Sequence, residues 1–195
     1  MKKIILATRN KNKIREIKAM LSDQNFEVLD LNSVPNAPEE LNEDGDTYVH
    51  NALQKARFVN KLTGLLTIAD DSGLEVSALD NAPGVFSKRF SPEQTDESNN
   101  KFLIEKLQGI SDRNATYRCV IAIVDSDKEI VTEGICCGTI IDNPVDTKGF
   151  AYDPHFLIHG INRTMAQLTL KEKAEISHRG RAVTKAIDII KNFNA

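Results

Sequence analysis

Lys3-Ile4-Ile5-Leu6-Ala7-Thr8-Arg9-Asn10-Lys11-Asn12-Lys13-Ile14-Arg15-Glu16-Ile17-Lys18-Ala19-Met20-Leu21 decides the fold class. Lys3 to Ala7 is a short β-branched and aliphatic run of the buried-strand kind. Thr8 to Lys13 is polar, and Ile14, Ile17 and Leu21 then recur at i, i+3 and i+7, which places them on one face of a helix. Phe26 to Leu31 has the character of a second strand. Strand, helix and strand in that spacing make a βαβ unit. A βαβ unit is a parallel pair, with the Thr8–Lys13 loop at the carboxyl end of the first strand.

Further along, Pro35 and Pro38 open an acidic loop, and a helix is expected from about Thr47 to Leu62 with Ala52, Ala56 and Val59 on one face. Leu65 to Ala69 reads as another buried strand that ends abruptly at Asp70-Asp71-Ser72-Gly73. A Pro83-Gly84 turn precedes a helix from about Asp96 to Leu107. Thr116–Val124 and Glu129–Gly134 flank a polar turn and form an antiparallel hairpin. Thr169-Leu170-Lys171-Glu172 is a capping box, and Ala182, Val183, Ala186, Ile187 and Ile190 make the last helix amphipathic. No repeat or linker interrupts the chain. The expectation is one α/β domain over residues 1–195, built on a mixed, partly parallel central sheet flanked by helices.

The chain of 195 residues carries 25 basic and 28 acidic side chains, a net charge of −3, which argues against a nucleic-acid coat protein. The distribution is uneven. Residues 1–20 hold seven bases and one acid, residues 39–46 hold Glu39, Glu40, Glu43, Asp44 and Asp46 without a base, and residues 171–191 return to a basic surplus. Such runs are ordinarily solvated faces. Brought together, they would suit a polyanion with a divalent cation. Cys119, Cys136 and Cys137 show no metal or disulfide spacing, and all three are read as small core residues. The apolar run after Lys2-Lys3 is shorter than the roughly 7–15 residues of a signal peptide, and none approaches the ~20 needed to span a bilayer. A soluble, cytoplasmic protein is expected.

Three segments carry candidate chemistry. Thr8-Arg9-Asn10-Lys11-Asn12-Lys13 sits where a strand gives way to a helix, so backbone N–H groups and lysines converge there, although a plain polar helix cap reads the same way. Asp70-Asp71-Ser72-Gly73 follows a buried strand. Two adjacent carboxylates there need a cation or hydrogen bonds, which magnesium would supply, unless they form an Asx turn. Lys171, Lys173, Ser177, His178 and Arg179 precede the last helix, with Ser177 as its cap and the cations suited to an anion.

Ala7-Thr8-Arg9-Asn10-Lys11-Asn12-Lys13 with Glu16, Ala69-Asp70-Asp71-Ser72-Gly73-Leu74-Glu75-Val76, Pro83-Gly84-Val85 with Ser87 and Arg89, Gly149-Phe150-Ala151-Tyr152-Asp153-Pro154, and Glu172-Lys173 with Ile176-Ser177-His178-Arg179 occur in this order. Together they closely resemble the inosine triphosphate pyrophosphatase family, the dITP/XTP pyrophosphatases, over essentially the whole chain. The resemblance implies a magnesium-dependent hydrolase that cleaves ITP, dITP and XTP between the α and β phosphates. It also implies two lobes around a cleft and a homodimer. By matching position, Thr8, Arg9, Asn10, Lys11, Asn12 and Lys13 bind the triphosphate. Asp71 is the proton acceptor and a metal contact, with Glu43 and Asp70 as further metal candidates. Ser72, Phe150, Ala151, Tyr152, Asp153, Lys173, His178 and Arg179 hold the nucleotide, the rings stacking on its base.

Three departures stand out against the family's pattern. His50 replaces a Glu that would close a capping box on Thr47, Val145 replaces an Arg, and Ala151 replaces a Gly. The last is mild unless that position needs a positive φ. A preference for modified pyrimidine triphosphates and a nucleotide sensor that lost catalysis through His50 are the alternative readings.

Overall fold

The computed structural model describes residues 2–146 and 149–192. In chain order its main elements are β1 (Lys2–Leu6), α1 (Lys11–Leu21), β2 (Phe26–Asp30), α2 (Tyr48–Thr63), β3 (Leu66–Val76), α3 (Asp96–Lys106), β4 (Asn114–Asp125), β5 (Lys128–Ile140), β6 (Phe156–Ile158), α4 (Leu170–Ile176) and α5 (His178–Asn192). The βαβ unit is present. β1 pairs in parallel with β2, Ile4 beside Val28, and also in parallel with β3, Ile4 beside Leu66. The six strands run in the order β2-β1-β3-β4-β5-β6, and β5 and β6 are antiparallel. Only Ser126 and Asp127 separate β4 from β5, which leaves room for nothing but an antiparallel hairpin. The sheet is therefore mixed and partly parallel, as the sequence implies.

The helix ends follow their local chemistry. Asn10 caps α1 by accepting from the N–H groups of Asn12 and Lys13, Thr47 caps α2 through the His50 N–H, and Gly64 ends α2 in the left-handed region at φ 67°. The Thr169–Glu172 capping box of α4 is closed in both directions. His50 leaves α2 with the Thr47 half of such a box, and its exposed ring lies against Gly45, where a Cβ would sit 2.6 Å from the ring. No helix among the described residues is long and apolar enough to cross a membrane.

The chain folds as two compact units, Met1–Asp71 with Cys119–Gly134 and Arg179–Ala195, and Ser72–Arg118 with Ile135–His178. In the first, Ile4, Leu6, Ile17, Leu21, Leu66, Ile68, Cys119, Ile121, Ile123, Val183 and Ile190 form one buried cluster from β1, β3, β4, α1 and α5. In the second, Leu74, Val76, Leu103, Leu107, Tyr117, Cys136, Tyr152, Phe156 and Met165 form another. Each fully buried aliphatic or aromatic side chain contributes about 1.5–3 kcal/mol.

Two expectations are corrected. β3 does not stop at Ala69 but continues through Asp70-Asp71-Ser72-Gly73 to Val76, with both carboxylates buried. Cations from distant parts of the chain pair with the acids, so the strand needs no turn to bring them to water. Cys137 is exposed, whereas Cys119 and Cys136 are buried. Neighbours on a strand face opposite sides, and in this part of β5 the side that carries Cys137 is exposed.

Candidate active site

The same alternation organises the acids of β3. Leu66, Ile68 and Asp70 share one face of the strand, the face that joins the cluster with α1 and α5, and Asp71 points to the other. Asp70 accepts from Arg179 Nε at 2.8 Å and from the Cys119 thiol at 3.1 Å on Oδ2, and its Oδ1 is paired with the Lys13 ammonium. Arg179 in turn donates through Nη1 to Glu16 Oε2 at 2.6 Å. Two acids meet two bases here. Burial alone would raise the Asp70 pKa, but Arg179 and Lys13 outweigh it and hold the carboxyl well below its ordinary value.

Asp71 is met from α2. Lys55 Nζ donates to Asp71 Oδ1 at 3.0 Å, to Glu43 Oε1 at 2.5 Å and to the Asp70 carbonyl at 2.8 Å. Asn51 Nδ2 donates to Asp71 Oδ2 at 3.4 Å, and Asn51 Oδ1 accepts from the Gly45 N–H at 2.8 Å, tying the acidic loop to the site. Two carboxylates meet at the Lys55 ammonium. The effect on the two partners is asymmetric. Burial pushes the Asp71 pKa up, and the pull of Lys55 and Lys13 does not cancel it, with Glu43 adding to the rise. Lys55, despite burial, is held above its ordinary value by Asp71 and Glu43. Two carboxylates that converge on one point, Asp71 buried and Glu43 partly so, are the oxygen donors that magnesium takes. Among the described residues no group of three or more His, Cys, Asp or Glu side chains is assembled as a metal cage.

The residues expected to take phosphate fall into distinct settings. Asn10 Oδ1 covers the N–H groups of Asn12 and Lys13, and the Asn10 N–H donates to Thr8 Oγ1 at 3.1 Å. Arg9 donates to Asn32 Oδ1 and to the carbonyls of Ala37 and Pro38 at 3.0–3.2 Å, bracing the loop after β2. Lys11 is exposed, and Lys13 is docked on Asp70. Arg179 is buried beneath Asp70, without an open face of its own.

In the second unit, Ser72 is half-buried in β3. Lys173 Nζ donates to Asp153 Oδ2 at 2.6 Å and lies 5.4 Å from the centre of the Phe150 ring. The His178 imidazole stacks on Tyr117, with centroids 4.5 Å apart and planes within 10°. Burial raises the Tyr117 pKa well above its ordinary value, with Asp153 adding to the rise. Tyr152 is a core residue rather than an open ring: it is buried, and its hydroxyl donates to the Ser87 carbonyl at 2.7 Å. Phe150 is the half-buried aromatic of this loop.

Ala151 does adopt the left-handed region, at φ 53°, with its N–H bonded to Asp96 and its carbonyl to Asn100, both at 2.8 Å. A non-glycine residue there is strained by roughly 1–2 kcal/mol, part of which a glycine would return as chain entropy. Ala151→Gly should therefore raise stability by about 0.5–1 kcal/mol, read as an unchanged urea slope with a higher midpoint. A lower midpoint would show that the methyl group's packing outweighs the strain.

Sequence reasoning passed over Lys55, Asn51, Cys119 and Tyr117 as site residues. A signal for the first two is present. Asn51, Lys55 and Val59 are spaced i, i+4, i+8 beside the buried Ala52–Ala56 stripe, so a lysine and an amide lie on the inward face of α2 and require partners.

The chain matches the model of the Ham1 family over residues 4–189. It is 45% identical over 187 residues to a protein of Geobacter sulfurreducens named dITP/XTP pyrophosphatase, which covers 94% of each chain. Among solved structures, a HAM1 protein from Coxiella burnetii superposes with a TM-score of 0.87 at 37% identity, covering 98% of this chain and 100% of that one. A nucleoside-triphosphatase, dITP/XTP pyrophosphatase, from Mycobacterium abscessus gives a TM-score of 0.76 at 41% identity over 94% and 98% of the two chains.

Proposed function

Because the chain belongs to the Ham1 family, we propose that it is a magnesium-dependent nucleoside triphosphate pyrophosphatase that hydrolyses ITP, dITP and XTP to the monophosphate and pyrophosphate. The observation that carries this reading is the different setting of two neighbouring acids: Asp70 is paired with Arg179 and Lys13, whereas Asp71 and Glu43 converge on the Lys55 ammonium. Asp71 and Glu43 are the residues that would hold magnesium. When bound, the ion supplies charge neutralisation on the phosphates and acidifies water at the site.

In this reading Asp71 accepts the proton of the attacking water, and its raised pKa makes it a stronger base than an ordinary aspartate. Lys13 and Lys11 take phosphate oxygens, and Lys55 fixes the Asp71 and Glu43 carboxylates relative to each other. Phe150 offers a ring face, and Lys173, Asp153 and His178 offer donors and acceptors of the kind that read a purine base. Water oxygen bonds to the α-phosphorus, the bond to the bridging oxygen breaks, and that oxygen leaves with pyrophosphate.

Pyrophosphate release should be measured over a panel of ITP, dITP, XTP, the four common triphosphates and modified pyrimidine triphosphates, with and without magnesium. Fast release from the hypoxanthine and xanthine nucleotides with magnesium alone is the expected result. Preference for pyrimidines would overturn the base assignment, and tight ITP binding without turnover would indicate a sensor. The homodimer implied by the resemblance is proposed with it, to be read as twice the 21.7 kDa chain mass in solution.

A further inference from the structure

Asp70 is idle in the reading above, yet it is among the most completely buried charges of the first unit, with no exposed side-chain surface. Its partners differ in kind. Arg179 and Cys119 are interior residues of α5 and β4, both nearly or fully buried, and Arg179 is itself clamped by Glu16. Lys13 arrives from the first turn of α1 and keeps 16% of its side chain exposed, the largest share in the group. A lysine has four flexible bonds, and ordering it on its own costs up to about 2 kcal/mol of rotamer entropy. An ammonium with three donors can serve a carboxylate and a phosphate oxygen together. The set of Glu16, Asp70, Lys13 and Arg179 is moreover neutral, which gives a cation no reason to enter it.

We propose that Asp70 is a positioning residue for Lys13 and not a metal ligand: Arg179, Cys119 and, through Arg179, Glu16 fix its carboxylate so that the Lys13 ammonium is held ready for a phosphate oxygen. The proposal rests on the reading of Lys13 as a phosphate-binding residue. It divides two adjacent acids by task, Asp71 for the cation and the water, Asp70 for the lysine.

The test compares wild type with Asp70→Asn, Glu16→Gln and Cys119→Ala. Steady-state ITP kinetics are taken at saturating magnesium, magnesium titrations at saturating ITP, and binding of inorganic tripolyphosphate is measured without metal. For Asp70→Asn the expected result is a KM raised about tenfold with kcat within a few-fold, the signature of lost ground-state binding. Tripolyphosphate binding weakens by a similar factor, and the magnesium concentration for half-maximal rate stays where it is. Glu16→Gln and Cys119→Ala leave Asp70 in place and should show the same pattern at about threefold, so the test survives if Asp70→Asn does not fold. A tenfold shift in the magnesium requirement with KM unchanged would overturn the proposal, as would kinetics and tripolyphosphate binding unaltered in every variant that folds. If wild type fails to turn over ITP, the functional reading falls, while the metal-free tripolyphosphate measurement still decides whether Asp70 sets the lysine.

Discussion

Replacing Asp71 by Asn is expected to remove turnover and, at the same time, to make the protein harder to unfold. The loss of a positioned base lowers kcat by roughly 10²–10⁴-fold, and the loss of a metal contact adds to it. The gain in stability follows from the direction of the pKa. A carboxyl whose folded pKa is raised binds its proton more tightly when folded, so stability declines as pH rises from the unfolded value through the folded one. At neutral pH the folded protein carries that penalty in full, and the neutral amide escapes it. Lys55 is not stranded by the change, since Glu43 and the Asp70 carbonyl remain at 2.5 and 2.8 Å and the amide oxygen can still accept. Thermal melts in metal-free buffer at neutral pH should therefore show a higher melting temperature for the variant, with the gap closing as the pH is lowered toward that of free carboxylates. A lower melting temperature at neutral pH, or turnover within tenfold of wild type, would refute the assignment.

Replacing Arg179 by Met is expected to give the largest loss of stability in the first unit. Met fills much of the same volume but leaves Asp70 and Glu16 buried without the guanidinium that bridges them. Removing one partner of a buried ion pair costs about 3–5 kcal/mol, which at this chain length lowers the melting temperature by roughly 6–20 °C. The pH dependence identifies the cause. Asp70, with its depressed pKa, contributes stability that is fully present above the unfolded carboxyl pKa and is lost as pH falls through the folded value. The variant has already lost that contribution, so its deficit should hold from pH 7 down to about pH 4, where model carboxyls titrate, and shrink below it. Denaturant unfolding at pH 7 and at about pH 3 measures it. A deficit below about 1 kcal/mol at neutral pH, or one that grows in acid, would mean that Arg179 does not carry the charge balance described.

The parts of the protein legible in its sequence are those written locally. The βαβ unit, the caps at Thr47 and Thr169 and the amphipathic α5 each depend on residues within a few positions of one another. Asp70 and Asp71 were recognisable as chemically costly because two adjacent acids after Ile68-Ala69 demand compensation. What compensates them was not recognisable, since it comes from positions 13, 55, 119 and 179, brought together only by the fold. For the same reason the polar tetrapeptide 70–73 reads as the end of a strand when it is the middle of one. Tyr152 shows the converse. Its ring resembles an open aromatic beside Phe150, and only the Ser87 carbonyl reveals it as an interior residue. Ala151 needed one backbone angle that no composition or periodicity supplies.

The alternation along β3 also means that the function has a reading frame. Deleting a single residue between Leu66 and Ala69 would bring Asp71 to the face of Arg179 and Lys13 and carry Asp70 away from it. Asp71 would then stand in the place of Asp70, Asp70 in that of Ala69, and Ser72 where Asp71 had met Lys55. Substitutions in this strand can therefore be graded by chemistry, whereas changes in its length part both acids from their partners at once.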